Sequence, residues 1–177
     1  MVTKDKAAIV SGAEILWTLV SDGQSFKELI RVIEAKGRYV SDWAKEIIDR
    51  SKVKPTKGIA YPFVVIRGDE FSDEDRTTAN VYAEAERRRY RKPTVESALL
   101  LREKFTQEEL GHSYLAVCHE PVLGSDGFPD VLALRRSGAL GRRNEVLGVS
   151  ARVGLVFDSP SKWPAGAAMR LMHADDV

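Results

Sequence analysis

Residues 114–134, YLAVCHEPVLGSDGFPDVLAL, decide the fold class. The runs 114–117 and 131–134 are short and apolar, which predicts two buried strands. The segment 121–129 between them holds Gly124, an Asp-Gly pair and two prolines, a composition typical of a hairpin-type loop. A connection this short has no room for a crossover helix, so the two strands are expected to pair antiparallel.

Two more strands are predicted on either side of this pair. Residues 63–66, FVVI, are apolar and mostly β-branched, as in a buried strand. Residues 146–157 alternate between apolar and polar types, which predicts a long strand joined to its predecessor by another short loop. The end of the chain, 159–177, is broken by proline and glycine and is expected only to pack on the body.

The first third of the chain is predicted to be helical. Apolar residues recur at three- and four-residue steps over 9–20, and Ser25 and Ser41 are placed to cap two further helices. The connection 37–40 has the length and the glycine of a helix-turn-helix. Acidic residues in the third helix would oppose phosphates, so a helical hairpin packed on the sheet or on another subunit is favoured.

These elements define the expected organisation. Residues 51–58, SKVKPTKG, carry three lysines, a proline and a glycine and are the best linker in the chain. They separate an N-terminal helical segment, 1–54, from an α+β domain, 59–177. In that domain one helix follows Ser72 and runs to about residue 89, and another starts at Pro93. We therefore predict an α+β fold with an antiparallel or mixed sheet of about four strands and helices packed on one face.

Composition sets limits on function. The chain has 177 residues, 44% apolar and 30% charged, with a net charge of +1, which is a globular balance that excludes a disordered chain. A nearly neutral total removes the simplest argument for a nucleic-acid partner, although a local basic patch could still exist. The single cysteine excludes an internal disulfide and fits a reducing compartment. No window approaches a membrane span, so a cytoplasmic protein is expected.

Arginine is concentrated in two clusters. Arginine forks suit phosphate, and the glycines beside the second cluster would let backbone amides approach an anion. The alternative is structural charge: basic residues complement the dipole at a helix C-terminus, and nearby glutamates could pair with them. The candidate polyanion-binding residues are Arg87, Arg88, Arg89, Arg91 and Lys92 in the first cluster and Arg135, Arg136, Arg142 and Arg143 in the second.

Acidic residues after the first predicted strand suggest a weaker alternative. Carboxylates at a strand end can hold Mg²⁺, which needs only one or two protein ligands and could support phosphoryl transfer. Acid-rich turns also cap helices, and no spacing here is diagnostic of a metal site. The candidate metal ligands are Asp69, Glu70, Asp73, Glu120 and Asp130.

The sequence Cys118-His119-Glu120 places a thiol, an imidazole and a carboxylate in a row. Neighbours on a strand point to opposite faces, so Cys118 and His119 cannot form a nucleophile–base pair in a regular strand. We expect Cys118 to be buried as a small hydrophobe and His119 to be a structurally satisfied residue.

These observations leave three functions open. The first is a binding or interaction protein that contacts a polyanion or nucleic acid through the arginine clusters. The second is a small metal-dependent, nuclease-like phosphoryl-transfer enzyme, and the third is a structural subunit without a ligand. No cofactor is predicted; the expected partners are a protein or a second copy of the chain, with nucleic acid as a candidate and no membrane.

Overall fold

The structure is a computed structural model that describes residues 9–10, 13–14, 17–72, 74–110, 114–137, 144–149 and 168–174. The helices in this part of the chain are α1 (Phe26–Ala35), α2 (Asp42–Arg50), α3 (Thr78–Arg87) and α4 (Val95–Lys104). The strands are β1 (Ile9–Val10), β2 (Ala13–Glu14), β3 (Trp17–Asp22), β4 (Tyr39–Val40), β5 (Lys57–Arg67), β6 (Tyr90–Arg91), β7 (Tyr114–Ala116), β8 (Val122–Leu123), β9 (Pro129–Asp130), β10 (Leu132–Ser137), β11 (Asn144–Val149) and β12 (Ala168–Ala174).

Helices and strands together confirm the α+β class, but the sheet is larger than expected. Eight strands form one sheet in the order β3-β5-β12-β7-β10-β11-β4, with β6 also paired to β12. Strand β12, from the segment expected only to pack on the body, lies between β5 and β7. The prediction of about four strands is wrong because it assigned β3 to a helix and omitted β12 and the two-residue strands β4 and β6.

The antiparallel prediction for the strands over 114–117, 131–134 and 146–157 is confirmed for their described residues, while 150–157 lie outside the described part of the chain. Strand β10 pairs antiparallel with both β7 and β11, so Leu134 lies opposite Leu115 on one side and Leu147 on the other. The predicted hairpin-type loop contains its own small ribbon, in which Val122 pairs with Asp130. Short connections force this arrangement because they cannot carry the chain back for a parallel pair.

Helices cover both faces of the sheet, which corrects the prediction of one covered face. Along β7, Leu115 lies in the core cluster that contains α4, whereas Ala116 packs with Val81 of α3. Along β5, Phe63 joins the α4 cluster and Val64 packs with Ala85 of α3. Continuous apolar runs are what a strand needs when both of its sides are buried.

The predicted helix over 9–20 is also wrong, because the described residues there form β1, β2 and β3. In β3, Leu19 and Ser21 are buried while Thr18 and Val20 are exposed, which is the alternation of a half-buried strand. This stretch also carries apolar residues at helical spacing. Pairing with β5 decides between the two patterns, since it places Trp17 opposite Phe63 and Leu19 opposite Tyr61.

Capping residues predict the helix starts well in three of four cases. Ser25 caps α1 with a complete capping box, Ser41 caps α2, and α4 follows Thr94. The predicted start after Ser72 is too early, since α3 is capped by Thr77. Ser72 instead accepts a bond from the Asp75 amide in a preceding turn.

The connection between α1 and α2 differs from that of a helix-turn-helix. It contains β4, which pairs parallel with β11 and so places this segment at one edge of the sheet. Leu29 of α1 and Ile47 of α2 lie in the same core cluster as Leu115. The N-terminal helices are thus packed on the sheet, and the division of the chain into two domains stays a prediction.

Helix α4 is the centre of its layer, and its interior is buried on all sides. Near its start, the Glu96 carboxylate is buried and accepts hydrogen bonds from the Thr56 amide at 2.9 Å and from the Tyr61 hydroxyl at 2.9 Å. At its end, Lys36 Nζ donates to the Glu103 carbonyl at 2.8 Å and Arg38 donates to the same carbonyl at 2.9 Å. These bonds satisfy carbonyls that the helix itself leaves unpaired. Among the described residues, no helix is long and apolar enough to cross a membrane.

Candidate functional site

The first arginine cluster lies at the C-terminal end of α3, where much of its charge is matched. Arg87 holds both carboxylate oxygens of Glu84, at 2.7 and 2.6 Å, and Arg88 also bonds Glu84. Arg88 reaches Glu70 as well, which ties the end of α3 to the turn after β5. Hydrogen bonding from Arg87 and Arg88 lowers the pKa of Glu84 to about 2. Arg87 and Arg88 are therefore both ion-paired.

The rest of this cluster is divided. Lys92 lies 2.7 Å from a Glu120 carboxylate oxygen and 5.0 Å from the centre of the Tyr82 ring. Arg91 is held in β6, where it pairs with His173 of β12. Arg89 is exposed and has a φ of +59°, a left-handed conformation that turns the chain from α3 into β6. Exposed charge thus remains at the turn.

The second cluster lies partly in β10. Arg135 is exposed and pairs across the sheet with Tyr114, and Tyr114 packs against the apolar cluster under α3. Because directly opposite residues share a face, Arg135 points to the α3 face. Arg136 follows it in the strand, whereas Arg142 and Arg143 lie outside the described residues.

The sheet register separates the two clusters along the strands. Arg91 and Phe63 both pair with His173 of β12, so they lie at the same height along the strands. Leu115 and Arg67 both pair with Ala168 of β12, so they share a second height. Arg135 lies one position further, opposite Tyr114. Five strand positions at about 3.3 Å each place roughly 17 Å between the levels of Arg91 and Arg135. Arg135 therefore lies on the same face as the end of α3, but the two clusters do not form one compact site.

The candidate metal ligands are dispersed. Glu70 bonds Arg88, Glu120 bonds Lys92, and Asp130 accepts a hydrogen bond from the Trp43 indole at 2.9 Å. For Asp69 the structure gives the backbone, in a 3₁₀ turn, and Asp73 lies outside the described residues. Within the described part of the chain, no group of three His, Cys, Asp or Glu side chains is arranged to hold a metal ion.

The Cys118-His119-Glu120 sequence has a structural role. Cys118 is buried, as predicted, and packs under α3. His119 is also buried; its Nε2 accepts from the Leu132 amide at 2.9 Å and its Nδ1 lies 2.7 Å from the Glu120 carbonyl. An Nε2 that accepts requires the neutral ring with the proton on Nδ1. Burial accordingly lowers the pKa of His119 to about 4.

A cleft of about 600 Å³ opens beside this histidine. Three segments form it: the end of α2 with the turn after it (49–53), the residues that lead into α4 (93–95), and the connection between β7 and β8 with β8 itself (119–123). Lys52, in the turn, has a φ of +56°. Thr94 lines the cleft, and its buried hydroxyl oxygen has no hydrogen-bond partner among the described residues. The volume is in the range of small-molecule sites, which are about 300–1,000 Å³.

The sequence did not indicate this cleft, because it is built from segments that are far apart in the chain. Trp43 of α2 binds Asp130, and Glu46 accepts from the Ser125 amide at 2.7 Å, so that the hairpin 122–130 is fixed on α2. A side chain at Gly124 would approach Trp43 to 3.1 Å, which shows how closely they meet. No local pattern at any of these positions predicts the partner.

Comparison with known proteins does not extend these observations. No protein-family model matches the chain, and no curated protein or solved structure is significantly similar to it.

Proposed function

We propose that this chain is a binding protein that contacts an extended polyanion, such as a nucleic acid, through the α3 face of its sheet. The observation that carries the proposal is that Arg135 shares this face with the arginine cluster at the end of α3. Two basic groups on one face can each bind a phosphate of the same nucleic-acid backbone. Contacts to phosphates position a nucleic acid but do not recognise its sequence.

The ion pairs define what kind of anion suits this face. Arg87 and Arg88 already bond Glu84, and Lys92 already bonds Glu120. A small anion would have to displace these carboxylates to gain a tight site. A polymer can instead touch the exposed Arg89 and Arg135 at once, because its phosphates repeat every few ångströms along the chain.

Salt-dependent binding to a 20-base-pair DNA duplex, followed by fluorescence anisotropy, tests the proposal. Each phosphate contact contributes about 0.9 to the slope of log affinity against log salt concentration. The double variant Arg89→Ala/Arg135→Ala should therefore flatten that slope by about 2. The pair Arg142→Ala/Arg143→Ala, whose positions lie outside the described residues, is predicted to act in the same direction.

Arg31→Ala is the matched control, because Arg31 is an exposed arginine on α1, in the opposite layer. It should leave the slope unchanged, and inorganic phosphate should not compete with the duplex. An absence of binding at low salt, or an equal effect of Arg31→Ala, would exclude polyanion contact through this face.

The other two functions have less support from the described residues. A phosphoryl-transfer site needs carboxylates that converge on a metal, and Glu70, Glu120 and Asp130 each bond a different partner. No specific observation among the described residues favours a structural subunit without a ligand.

A further inference from the structure

We propose that one end of the β3–β5 pair, together with the linker 51–58 beside it, binds the surface of an anionic lipid bilayer. The inference does not rest on polyanion contact, because none of the arginines of that proposal lies in this region. The expectation of no membrane partner rested on the absence of a spanning segment, and contact with a bilayer surface needs none. The residues of this lysine–aliphatic surface are Val20, Lys52, Lys54, Lys57 and Ile59.

Two exposed aliphatic side chains lie close together at this end of the strands. Val20 of β3 is 56% exposed and Ile59 of β5 is 48% exposed, although valine and isoleucine are among the most often buried residue types. Val20 pairs with Ala60, the neighbour of Ile59, and the Ile59 amide donates to the Ser21 hydroxyl at 3.1 Å. Neighbouring exposed apolar side chains are a feature of surfaces that contact a partner or a membrane.

The linker adds positive charge beside these side chains. Segment 51–60 carries three lysines and no acidic residue, and the described part of the chain gives none of these lysines an ion pair. Asp22 of β3 is in register with Lys57, but its carboxylate accepts from the Gln24 amide at 3.0 Å and from the Gln24 side chain at 2.5 Å. The lysines are therefore available to an anionic surface.

A buried carboxylate holds the linker against β3. Glu96 accepts from the Thr56 amide at 2.9 Å and from the Thr56 hydroxyl at 2.8 Å. The Thr56 hydroxyl also lies 2.7 Å from that of Ser21, the same hydroxyl that accepts from the Ile59 amide. The linker and the two strands thus present the lysines and the aliphatic side chains together, so that little backbone freedom is lost on binding.

The composition favours a lipid surface over a protein or a nucleic acid. Protein interfaces are enriched in arginine and aromatic residues and depleted in lysine, whereas this surface combines lysine with aliphatic residues. Phosphate contacts would account for the lysines but not for the exposed valine and isoleucine. An anionic bilayer attracts lysines at its headgroups and takes up aliphatic side chains at the boundary with the acyl chains.

Co-sedimentation of the full chain with sucrose-loaded vesicles tests the proposal. We expect binding to vesicles of equal parts phosphatidylserine and phosphatidylcholine, at least about tenfold weaker binding to phosphatidylcholine alone, and dissociation as salt is added. Each lysine near an anionic bilayer contributes about fivefold in affinity, so Lys54→Ala/Lys57→Ala should weaken binding about 25-fold. Asp22→Asn removes the acid opposite Lys57 and keeps an oxygen for Gln24, so it should strengthen binding about twofold to fivefold.

Ile59→Asp tests the aliphatic part and should weaken vesicle binding at least about tenfold. Leu123→Asp is the matched control: Leu123 is 59% exposed, on β8, and its substitution should leave vesicle binding unchanged. Arg89→Ala/Arg135→Ala is the control of equal charge for the lysine pair. It should leave vesicle binding unchanged, and the lysine pair should leave the salt slope of DNA binding unchanged, so that the two proposals can fail separately.

All substituted residues are exposed, and urea unfolding of each variant checks that it folds. The proposal is overturned if the chain does not sediment with phosphatidylserine vesicles at low salt, or if phosphatidylcholine alone binds it equally well. It is also overturned if Leu123→Asp acts as strongly as Ile59→Asp, or if the arginine pair acts as strongly as the lysine pair. Binding of poly-glutamate in place of the vesicles would assign the lysines to an acidic protein partner instead.

Discussion

The two faces of the sheet are covered in different ways. On one face, α1, α2 and α4 share a continuous core, in which Leu99, Leu115 and Leu132 are fully buried. On the other face, the described residues form two small clusters under α3, which are built on Val81 and Ala85. The α3 helix is fixed at its end by surface ion pairs between Arg88, Glu84 and Glu70.

This difference indicates that the two layers contribute to the stability of the molecule by different interactions. The α4 layer depends on apolar burial, which contributes about 25 cal/mol for each Å² removed from water. The α3 layer buries smaller side chains and adds charge pairs that salt can screen. The exposed Arg89 and Arg135 of the proposed polyanion surface lie on the α3 side, whereas the cleft of about 600 Å³ lies at the edge of the α4 layer.

Truncation of one buried residue in each layer should give the largest contrast. Leu99→Ala leaves a cavity inside the α4 core and should reduce the free energy of unfolding by about 3 kcal/mol. Val81→Ala removes less volume under α3 and should cost about 1–2 kcal/mol. Both residues are fully buried, so exposure does not confound the comparison. Urea unfolding measures both values, and a cost for Val81→Ala as large as that for Leu99→Ala would contradict the smaller contribution expected from burial under α3.

Acidification should next affect the α4 side, through His119. Burial lowers its pKa to about 4 in the folded state, and the unfolded chain binds the proton near its ordinary pKa of 6.5. Stability is therefore fully present above pH 6.5 and falls as the pH decreases toward 4. Between pH 7 and pH 5 the loss should be about 2 kcal/mol.

His119→Gln provides the control for this pH dependence. The variant should be less stable at pH 7 because the hydrogen bond from Leu132 is disturbed, but it should not show the loss between pH 7 and pH 5. The same pH dependence in both proteins would assign it to another group.

The smallest effect is expected on the α3 side, from Glu84→Gln. Arg87 and Arg88 lower the Glu84 pKa to about 2, so its ion pairs stabilise the fold above pH 4.5 and are lost as the pH falls from 4.5 to 2. The substitution should cost about 1 kcal/mol at pH 7 and low salt, and less at high salt. Glu86→Gln, at an exposed position in the same helix, should be neutral in the same urea measurement. An equal cost for both would contradict a special role for Glu84.

Local signals in the sequence were sufficient for much of the fold. The caps Ser25 and Ser41 predicted the starts of α1 and α2, since a side chain that binds an amide three residues ahead acts within one turn. The hairpin-type loop before β10 and the burial of Cys118 were also predicted correctly, because they depend on residues close together in the chain. A short loop and a two-residue alternation are both local properties of the chain.

Helical and strand patterns compete in the segment 9–20, and local signals cannot decide between them. Its apolar residues recur at helical spacing, and its last part also alternates as a strand. The pairing of β3 with β5, almost forty residues away in the chain, stabilises the strand. The insertion of β12 between β5 and β7 is equally non-local.

The sequence by itself determined that this chain forms an α+β fold, where two of its helices are capped, and that arginines cluster near residues 90 and 140. Tertiary structure alone decided that Arg87 and Arg88 would pair with Glu84, that Arg135 would share their face, and that a cleft would form beside Thr94. The physical reason is the distance along the chain over which each interaction acts. Capping and alternation act over a few residues, whereas a charge pair, a shared face and a cavity depend on which distant segments the sheet brings together.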